Sequence, residues 1–308
     1  MNFSEVIIIG AGPAGISAAA ECLRHELMPL IIDKGEAGGL VRIAHLIQNF
    51  SPLSPMSGRE LAFRFQEMLK RISAPLLRAE VIMIEQREQT FLINLREGPQ
   101  LEARAVILAT GQKPYVPDNL DEFREFFLLP GEFEPREIAT GKRMAIYGGG
   151  DVALDLALSL YESGAAEVEI FVRGWPKACA YLQRKINEKK IAVTKGYELI
   201  ELGKEDKVVR LLFKTEQGSE EELSFEALVL ALGWQPCAPE MKPITLDELF
   251  NMGIKESGDT RVPGLFLAGD IKNGQNRFIA LAVADGLRAG LAACKYLKRD
   301  KNRLRSSI

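Results

Sequence analysis

Two stretches of the chain share one pattern of apolar and polar positions. Each begins with an uninterrupted apolar run, Glu5–Ile9 or Arg143–Tyr147, and passes through glycines into a segment with helical periodicity. Each ends in a second apolar run, Pro29–Asp33 or Glu167–Arg173. Apolar runs without alternation are typical of parallel strands that are covered on both faces of a sheet. The pattern therefore predicts two βαβ units.

Other segments carry weaker signals. Ser57–Arg71 has the apolar spacing of an amphipathic helix with Ser57 as its N-cap, and Phe278–Leu297 reads as a long, Ala-rich helix. Two prolines in Gln112–Pro117 indicate that the chain crosses between domains there. The remaining predicted strands are Leu77–Glu85, Thr90–Leu95, Ala105–Leu108, Lys207–Lys214, Glu222–Leu232 and Gly264–Leu267.

Composition narrows the class of protein. The 308 residues suggest two or three domains, and 47% hydrophobic with 26% charged residues is ordinary globular usage. A net charge of −3 argues against a nucleic-acid partner. No apolar run is long enough for a membrane helix, and we expect the basic segment Lys295–Arg305 to be a solvated tail rather than a membrane anchor. The N-terminal apolar run lacks a preceding positive charge, so we expect a strand there rather than a signal peptide.

The chain is poor in histidine and cysteine. It has two histidines, His25 and His45, and four scattered cysteines at positions 22, 179, 237 and 294. No zinc-type spacing is present, so we expect no metal site. Cysteines at such spacings indicate reduced thiols and a cytoplasmic location.

The first glycine motif is Gly10-Ala11-Gly12-Pro13-Ala14-Gly15, which fits GxGxxG directly after a predicted strand. In this motif the first glycine allows the tight turn, the second admits a pyrophosphate, and the third lets the helix pack on the strand. The N-terminus of the helix offers unpaired N–H groups to phosphates. Asp33 ends the next strand, where a carboxylate meets the ribose hydroxyls of adenosine.

The second glycine motif, Gly148-Gly149-Gly150-Asp151-Val152-Ala153, fits GxGxxA. Here the following strand ends without a carboxylate, and Arg173 and Lys177 lie at its tip. Cations at this place favour a 2′-phosphate, whereas a carboxylate favours a free 2′-hydroxyl. The site is therefore predicted to prefer NADPH, with NADH possible, unless both cations are only solvated surface residues. Its predicted contacts are Gly148, Gly150, Asp151, Val152, Ala153, Arg173 and Lys177.

These motifs, in order and over almost the whole length, resemble the low-molecular-weight thioredoxin reductase family of flavoproteins. Further segments carry the resemblance: Gly38-Gly39 with Asn49-Phe50, Ala109-Thr110-Gly111, Gly264–Asp270 and Arg277-Phe278-Ile279. The resemblance implies that FAD binds the first motif and the pyridine nucleotide binds the second. The FAD contacts it implies are Gly10, Gly12, Pro13, Ala14, Gly15, Asp33, Lys34, Gly39, Leu40, Asn49, Val81, Ala109, Thr110, Gly111, Gly269, Asp270, Arg277, Phe278 and Ile279.

The resemblance also implies an architecture. The fold class is α/β, with two Rossmann-like dinucleotide-binding domains of three-layer ββα type. Residues 1–113 and 242–308 would form a discontinuous FAD domain, and residues 114–241 an inserted NAD(P)H domain. A homodimer is typical of the family, and its inserted domain can rotate to serve the flavin.

The chain departs from the family at the redox disulfide. Counting back from the second glycine motif, the family's CxxC falls on Gly131-Glu132-Phe133-Glu134, which holds no cysteine. A dithiol needs two sulfurs within bonding reach, so direct reduction of thioredoxin by the usual route is not expected. Cys179 and Cys237, both placed in the inserted domain, are more readily packing residues than a replacement pair. Without a disulfide to present, we expect less need for domain rotation.

A second departure lies beside the flavin-contacting glycines. Leu40 stands where the family often has a glutamine, and His45 follows shortly after. His45 is the single catalytic candidate, as a proton relay to the flavin, although a structural or surface role is the favoured alternative.

Three functions fit these observations. The first is a reductase without CxxC, similar to the ferredoxin/flavodoxin–NADP⁺ reductase branch, which passes electrons from NADPH through FAD to a carrier protein. Against it, that branch has a longer C-terminal extension with an aromatic residue. The second is an NAD(P)H-dependent reductase of a small molecule, a quinone or an external disulfide. The third is a catalytically silent FAD-binding protein.

Overall fold

The computed structural model describes the backbone of residues 3–306 and the side chains of residues 3–299. The chain divides into two compact units. Unit 1 comprises Met1–Arg42, Gln48–Lys113 and Gln235–Ile308, and unit 2 comprises Ile43–Ile47 and Pro114–Trp234.

Strands make up the sheets of both units. In chain order they are β1 (Phe3–Ile9), β2 (Pro29–Asp33), β3 (Leu76–Arg78), β4 (Val81–Gln86), β5 (Phe91–Leu95), β6 (Leu101–Leu108), β7 (Gln112–Pro114), β8 (Arg143–Tyr147), β9 (Glu167–Val172), β10 (Ala192–Lys195), β11 (Tyr197–Glu205), β12 (Val208–Thr215), β13 (Glu220–Phe225), β14 (Ala227–Leu230), β15 (Trp234–Pro236), β16 (Glu240–Lys242) and β17 (Leu265–Leu267).

Helices connect the strands. They are α1 (Pro13–Arg24), α2 (Gly58–Ile72), α3 (Asp118–Asp121), α4 (Pro135–Ala139), α5 (Asp151–Glu162), α6 (Ala180–Glu188), α7 (Leu246–Met252), α8 (Asp270–Asn273) and α9 (Ile279–Ser306), with 3-10 turns at Gly39–Ile43 and Arg124–Phe126. No described helix is both long enough and apolar enough to cross a lipid bilayer.

Unit 1 is built on one sheet with the strand order β16-β4-β5-β6-β1-β2-β3, and β17 pairs with β6. The central strands β1, β2, β6 and β17 run parallel, whereas β5 runs antiparallel to both of its neighbours. Ile7, Val106 and Leu267 are buried in its core, as expected for strands covered on both faces. Helix α1 packs along α9, which brings the first and last helices of the chain side by side.

Unit 2 contains a parallel sheet of order β10-β9-β8-β14 and an antiparallel sheet of order β11-β12-β13. Aromatic rings are buried in its core, where Phe171 stacks on Phe213 at 4.7 Å between ring centroids. Two sheets and helices give this unit the predicted ββα layers. The α/β fold class predicted from the sequence is confirmed.

The second crossing between the units lies earlier than the sequence indicated. The predicted boundary was 241/242, whereas the compact units divide after Trp234. The reason is that β16 pairs in parallel with β4 of unit 1, through Met241 and Ile84 among others. Residues 43–47 also group with unit 2, which the domain prediction did not include.

Two predicted strands are broken in the structure. Leu77–Glu85 is divided into β3 and β4, because the Ala79 N–H donates to the Asp33 carbonyl at the end of β2 while β4 turns to pair with β5. Glu222–Leu232 is divided at Glu226, whose carboxylate accepts a hydrogen bond from the Arg143 backbone. Helix α9 continues beyond the predicted end at Leu297 to Ser306, so the basic segment expected as a tail is helical. Its side chains beyond Arg299 lie outside the described residues.

Candidate functional site

The glycine turn of unit 1 leaves no room for side chains at two positions. A Cβ at Gly10, where φ is +108°, would lie 2.3 Å from the Ala109 carbonyl oxygen. A Cβ at Gly15 would lie 1.8 Å from the carbonyl oxygen of Gly10. The tight turn and the close contact of helix and strand are therefore both present, as the motif requires.

Three distant segments meet at this turn. The Gly38 N–H donates to the Ala11 carbonyl at 2.8 Å, and a Cβ at Gly39 would lie 3.1 Å from the Gly12 Cα. On the other side, a Cβ at Gly269 would lie 2.8 Å from the Ala14 side chain. The structure thus brings together the first glycine motif, the Gly-Gly pair and the Gly-Asp motif, which the sequence suggested only by family resemblance.

Asp33 fixes the loops around the turn. Its carboxylate accepts hydrogen bonds from the Ala11 N–H at 2.6 Å and the Gly35 N–H at 2.7 Å. The predicted ribose ligand therefore also orders the glycine loop. The neighbouring Lys34 is exposed and pairs with Glu80 at 3.2 Å, so its charge is already engaged within unit 1.

A cluster of buried polar atoms in unit 1 has no partner among the described residues. It consists of the Thr110 hydroxyl, the Gln112 side-chain oxygen and one carboxylate oxygen of Asp270. Burial raises the pKa of Asp270 to about 6, although the positive charge of Arg277 acts in the opposite direction. Buried polar groups in native proteins are normally hydrogen-bonded, so this cluster is suited to bind a polar ligand. The ribityl hydroxyls of FAD are such a ligand, and the glycine cradle beside them would admit its pyrophosphate.

Two residues that support this cluster were not predicted from the sequence. Gln112 donates from its side-chain nitrogen to the carbonyls of Asp270 and Gly274, both at 2.9 Å, and so holds α8 in place. Asp285 on α9 is buried and pairs with Lys272 at 2.9 Å. The position of Gln112 directly after the Ala-Thr-Gly motif was an available signal, whereas Asp285 was an acid inside a helix with no such marker.

The remaining predicted FAD residues lie at the edges of unit 1. Leu40 is in the 3-10 turn, Val81 begins β4, and Ile279 begins α9. Asn49, Arg277 and Phe278 are exposed. Their contact with FAD remains a prediction.

The glycine turn of unit 2 is more open. Gly148, with φ of +144°, repeats the crowding of Gly10, since a Cβ there would lie 2.2 Å from the Ala231 carbonyl oxygen. A Cβ at Gly150, in contrast, meets nothing within 4 Å. Gly150 is the N-cap of α5 and no side chain caps that helix end. Its first N–H groups are therefore free to bind phosphate.

The loop 173–179 folds back over this turn. The N–H groups of Lys177 and Ala178 both donate to the Gly149 carbonyl, at 2.7 and 3.1 Å. The Cys179 N–H donates to the Asp151 carboxylate at 2.7 Å, which gives that predicted ligand a role in anchoring the loop. Arg173 and Lys177 are exposed at the tip of β9, where a 2′-phosphate would bring its charge.

The catalytic candidate His45 is placed in unit 2 and lies against α5. Its backbone N–H donates to the Asp155 carboxylate at 2.7 Å, and its Nε2 lies 3.3 Å from a carboxylate oxygen of Glu162. Burial raises the pKa of Asp155 to about 6, against the hydrogen bonds from His45 and Leu46 that favour the charged form. These contacts hold residues 43–47 on α5, and the proton relay stays a prediction.

The cysteines do not reproduce the family disulfide. Cys22 and Cys294 are buried, and Cys179 is exposed. Cys237 belongs to unit 1, where its N–H donates to the Gly111 carbonyl, so its placement in the inserted domain was wrong. Within residues 3–299, no group of three or more His, Cys, Asp or Glu side chains is arranged to hold a metal ion.

Comparisons with known proteins agree with this geometry. Residues 4–286 match the family model described as "Pyridine nucleotide-disulphide oxidoreductase". The chain is 29% identical to a thioredoxin reductase from Treponema pallidum, over 97% of this chain and 98% of the relative. It is 26% identical to a ferredoxin–NADP reductase from Ignicoccus hospitalis, over 96% and 98%.

Two further matches extend the comparison. The chain is 28% identical to an alkyl hydroperoxide reductase protein of Pseudomonas putida over 96% of its own length, but spans only 58% of that relative. The crystal structure of a thioredoxin reductase from T. acidophilum superposes with a TM-score of 0.83 at 26% identity, covering 96% of this chain and 99% of that one.

Proposed function

This chain belongs to the pyridine nucleotide-disulphide oxidoreductase family, which depends on FAD and NAD(P)H, and we propose that it transfers electrons from NADPH through FAD to a carrier protein such as ferredoxin or flavodoxin. The chain is thus an oxidoreductase by family. The proposal concerns its donor and its acceptor, which the family alone leaves open.

The observation that carries the proposal is the cluster of polar atoms on Thr110, Gln112 and Asp270 beside the glycine turn, which have no partner among the described residues. A group with hydroxyls and a pyrophosphate satisfies both halves of that site. FAD, when bound, accepts a hydride from a nicotinamide and can release the electrons one at a time. The protein's own residues would orient it: Asp270 and Thr110 by hydrogen bonds, and the uncapped N-terminus of α1 by its N–H groups.

The choice of donor rests on the second glycine turn. Arg173 and Lys177 are exposed cations at the tip of β9, and no carboxylate lies in the segment Val172–Ala178. A cationic tip favours the 2′-phosphate of NADPH and gives no hydrogen-bond acceptor to the free 2′-hydroxyl of NADH.

The choice of acceptor rests on the cysteines. The sequence contains no CxxC, Cys179 and Cys237 fall in different units, and the thiols of Cys22 and Cys294, which are hydrogen-bonded to each other, are buried within unit 1. Internal thiol–disulfide exchange would need two sulfurs within bonding distance. An acceptor that takes electrons directly from the flavin requires no such pair. The name of the Ignicoccus hospitalis relative, ferredoxin–NADP reductase, supports a one-electron protein acceptor.

Stopped-flow mixing of the FAD-loaded protein with NADPH or NADH tests the donor. We expect the visible absorbance of the oxidised flavin to bleach faster with NADPH than with NADH. Arg173→Glu should abolish the preference by weakening NADPH, whereas Lys204→Glu, the same charge change on β11, should leave it unchanged. Bleaching with neither nucleotide would contradict the proposed function.

Reoxidation of the NADPH-reduced protein tests the acceptor. We expect ferredoxin or flavodoxin to restore the flavin absorbance at catalytic rates and thioredoxin not to do so. The double variant Cys179→Ser/Cys237→Ser should behave like the original protein. Failure of both carriers, with rapid turnover on a quinone or a low-molecular-weight disulfide, would replace the carrier protein by a small-molecule acceptor.

A further inference from the structure

Trp175 is the most exposed large hydrophobic residue among those described in this chain, with 78% of its surface accessible. It follows β9 by three positions and lies between Arg173 and Lys177. Large aromatic side chains bury most of their surface in folded proteins unless a ligand or partner covers them. The exposure of this indole therefore points to a binding role.

One face of the indole is already covered. The Nζ of Lys195 lies 3.3 Å from the ring centroid, a close cation–π contact. Lys195 ends β10 and is the register partner of Val172, the last residue of β9. The lysine and the tryptophan therefore lie at the same edge of the parallel sheet. Because Lys195 covers one face of the ring, the accessible surface of the ring includes its opposite face.

The loop that carries Trp175 is fixed to the glycine turn. Besides the hydrogen bonds of Lys177, Ala178 and Cys179 to Gly149 and Asp151, a Cβ at Gly149 would lie only 3.3 Å from the Pro176 Cα. Trp175 is therefore held beside the place where a pyrophosphate meets the N-terminus of α5. In a dinucleotide-binding fold, the adenosine half of the ligand extends from that point over the next strand, which here is β9.

The charges around the ring fit a phosphorylated adenosine. Arg173, Lys177 and Lys195 are exposed, and none of them forms an ion pair with a carboxylate within the part of the chain whose side chains are described. An aromatic face flanked by cations is the combination that binds a purine base and an adjacent phosphate.

We propose that Trp175, backed on one face by Lys195, is the stacking surface for the adenine of NADPH on its opposite face, and that Arg173 holds the 2′-phosphate. The inference rests on the proposed function in that it assumes a pyridine nucleotide at the second glycine motif. It adds a specificity-determining side chain that the glycine motif does not contain, and it makes adenine recognition depend on the loop after β9 rather than on the strand itself.

The test measures binding of 2′,5′-ADP to the FAD-loaded protein by isothermal titration calorimetry, so that no electron transfer is involved. Trp175→Ala should weaken 2′,5′-ADP by about tenfold, since base stacking on an aromatic ring is worth on the order of one to two powers of ten in affinity. Trp175→Phe should recover much of the loss. Lys195→Met should weaken 2′,5′-ADP and 5′-AMP to a similar extent, because it removes the cation behind the indole and no contact to the 2′-phosphate.

Tyr161→Ala is the matched control. Tyr161 is also an exposed ring of unit 2 with a lysine over it, Lys189 at 5.7 Å from the centroid, but it lies at the far end of α5 from the glycine turn. Its removal should leave the affinity for 2′,5′-ADP unchanged.

The outcomes separate the two proposals. Unchanged binding of 2′,5′-ADP to Trp175→Ala would overturn the inference, even if NADPH reduces the flavin normally. A Trp175→Ala protein that binds 2′,5′-ADP normally but has a raised KM for ferredoxin would overturn it in favour of a protein-docking role for the indole. If Trp175→Ala binds 2′,5′-ADP tenfold more weakly but NADPH fails to reduce the flavin of the unsubstituted protein, the inference is supported and the proposed function is contradicted.

Discussion

The two glycine turns of this chain share strand, glycines and uncapped helix but differ in what surrounds them. In unit 1 the turn is enclosed by segments from three distant parts of the sequence, at Gly38-Gly39, Ala109-Thr110 and Gly269-Asp270, and polar atoms are buried there without partners among the described residues. In unit 2 the turn is open at Gly150 and is bordered by the loop 173–179 that directly follows the next strand.

The difference corresponds to two ways of holding a nucleotide. In an enclosed site, a bound ligand forms hydrogen bonds with the buried polar groups. Loss of the ligand leaves these groups without partners and costs free energy, so such a site favours a ligand that stays bound. An open turn with exposed cations costs little when empty and allows exchange. The contrast is consistent with the proposal of a resident cofactor in unit 1 and an exchangeable cosubstrate in unit 2.

The largest expected effect comes from the first glycine of each turn. Gly10→Ala and Gly148→Ala each place a Cβ within 2.3 Å of a backbone carbonyl at a positive φ. Backbone strain and overpacking together should cost about 4 kcal/mol of unfolding free energy in either variant. Denaturant unfolding followed by circular dichroism measures this.

The second glycine of each turn is the control. A Cβ at Gly12 or Gly150 would lie no closer than 4.0 Å to another atom. Gly12→Ala and Gly150→Ala should therefore leave the unfolding free energy unchanged while they weaken nucleotide binding. Equal destabilisation of all four variants would mean that the turns tolerate no side chain for structural reasons alone.

The next effect concerns Asp270 in unit 1. Its pKa in the folded protein, about 6, lies above the unfolded value near 3.8, so its contribution to stability is present in full below pH 4 and is lost as the pH rises through 6. Asp270→Asn should therefore stabilise the FAD-free protein at pH 8, by up to about 3 kcal/mol, and still weaken FAD at least about tenfold. Thermal unfolding from pH 4 to 8 and flavin titration measure the two effects.

Exposed Asp247 supplies the control for that experiment. Asp247→Asn, which removes an exposed carboxylate from the same unit, should leave the affinity for FAD unchanged. A loss of stability in Asp270→Asn at pH 8 would show that the carboxylate is paired within the FAD-free protein.

Asp155 in unit 2 gives a smaller effect of the same sign, because its carboxylate already accepts backbone N–H groups that the amide of asparagine satisfies only in part. The unfolding free energy falls as the pH rises from 4 to above 6, because Asp155 becomes charged while buried. Asp155→Asn should make this fall smaller by about 1–2 kcal/mol. Bound FAD should shift the part of the pH dependence of unfolding that arises from Asp270. Bound NADPH should leave the part that arises from Asp155 unaltered. A nucleotide-dependent change at Asp155 would contradict the contrast between the units.

The smallest effect separates capped from uncapped helices. Ser57 caps α2 through the Glu60 N–H, whereas α1 and α5 have no side-chain cap. Ser57→Ala should cost about 1 kcal/mol and leave the affinity for both nucleotides unchanged. A fall in nucleotide affinity of the same size as for Gly12→Ala would show that the cap has a further role.

The sequence predicted most of what local patterns determine. The two βαβ units, the Ser57 cap and both glycine turns follow from apolar runs, capping chemistry and the space that a motif requires. The breaks at Ala79 and Glu226 did not follow, because they depend on which strand a segment pairs with. Gln112, Asp285 and Asp155 escaped for the same reason: their partners lie in segments far away in the sequence. Trp175 looked like an ordinary loop residue until its exposure and the lysine above it were known.

The side-by-side packing of α1 and α9 has a consequence for synthesis of the chain on the ribosome. Unit 2 is composed of residues up to Trp234, so every segment it needs has been made before the last quarter of the chain appears. Unit 1 needs β16, β17 and α9 to cover the strands that were translated first. Its N-terminal strands must therefore stay partly exposed until β16, β17 and α9 have been synthesised. A chain truncated before α9 is expected to retain a folded nucleotide domain but to be captured by chaperones through its first strands.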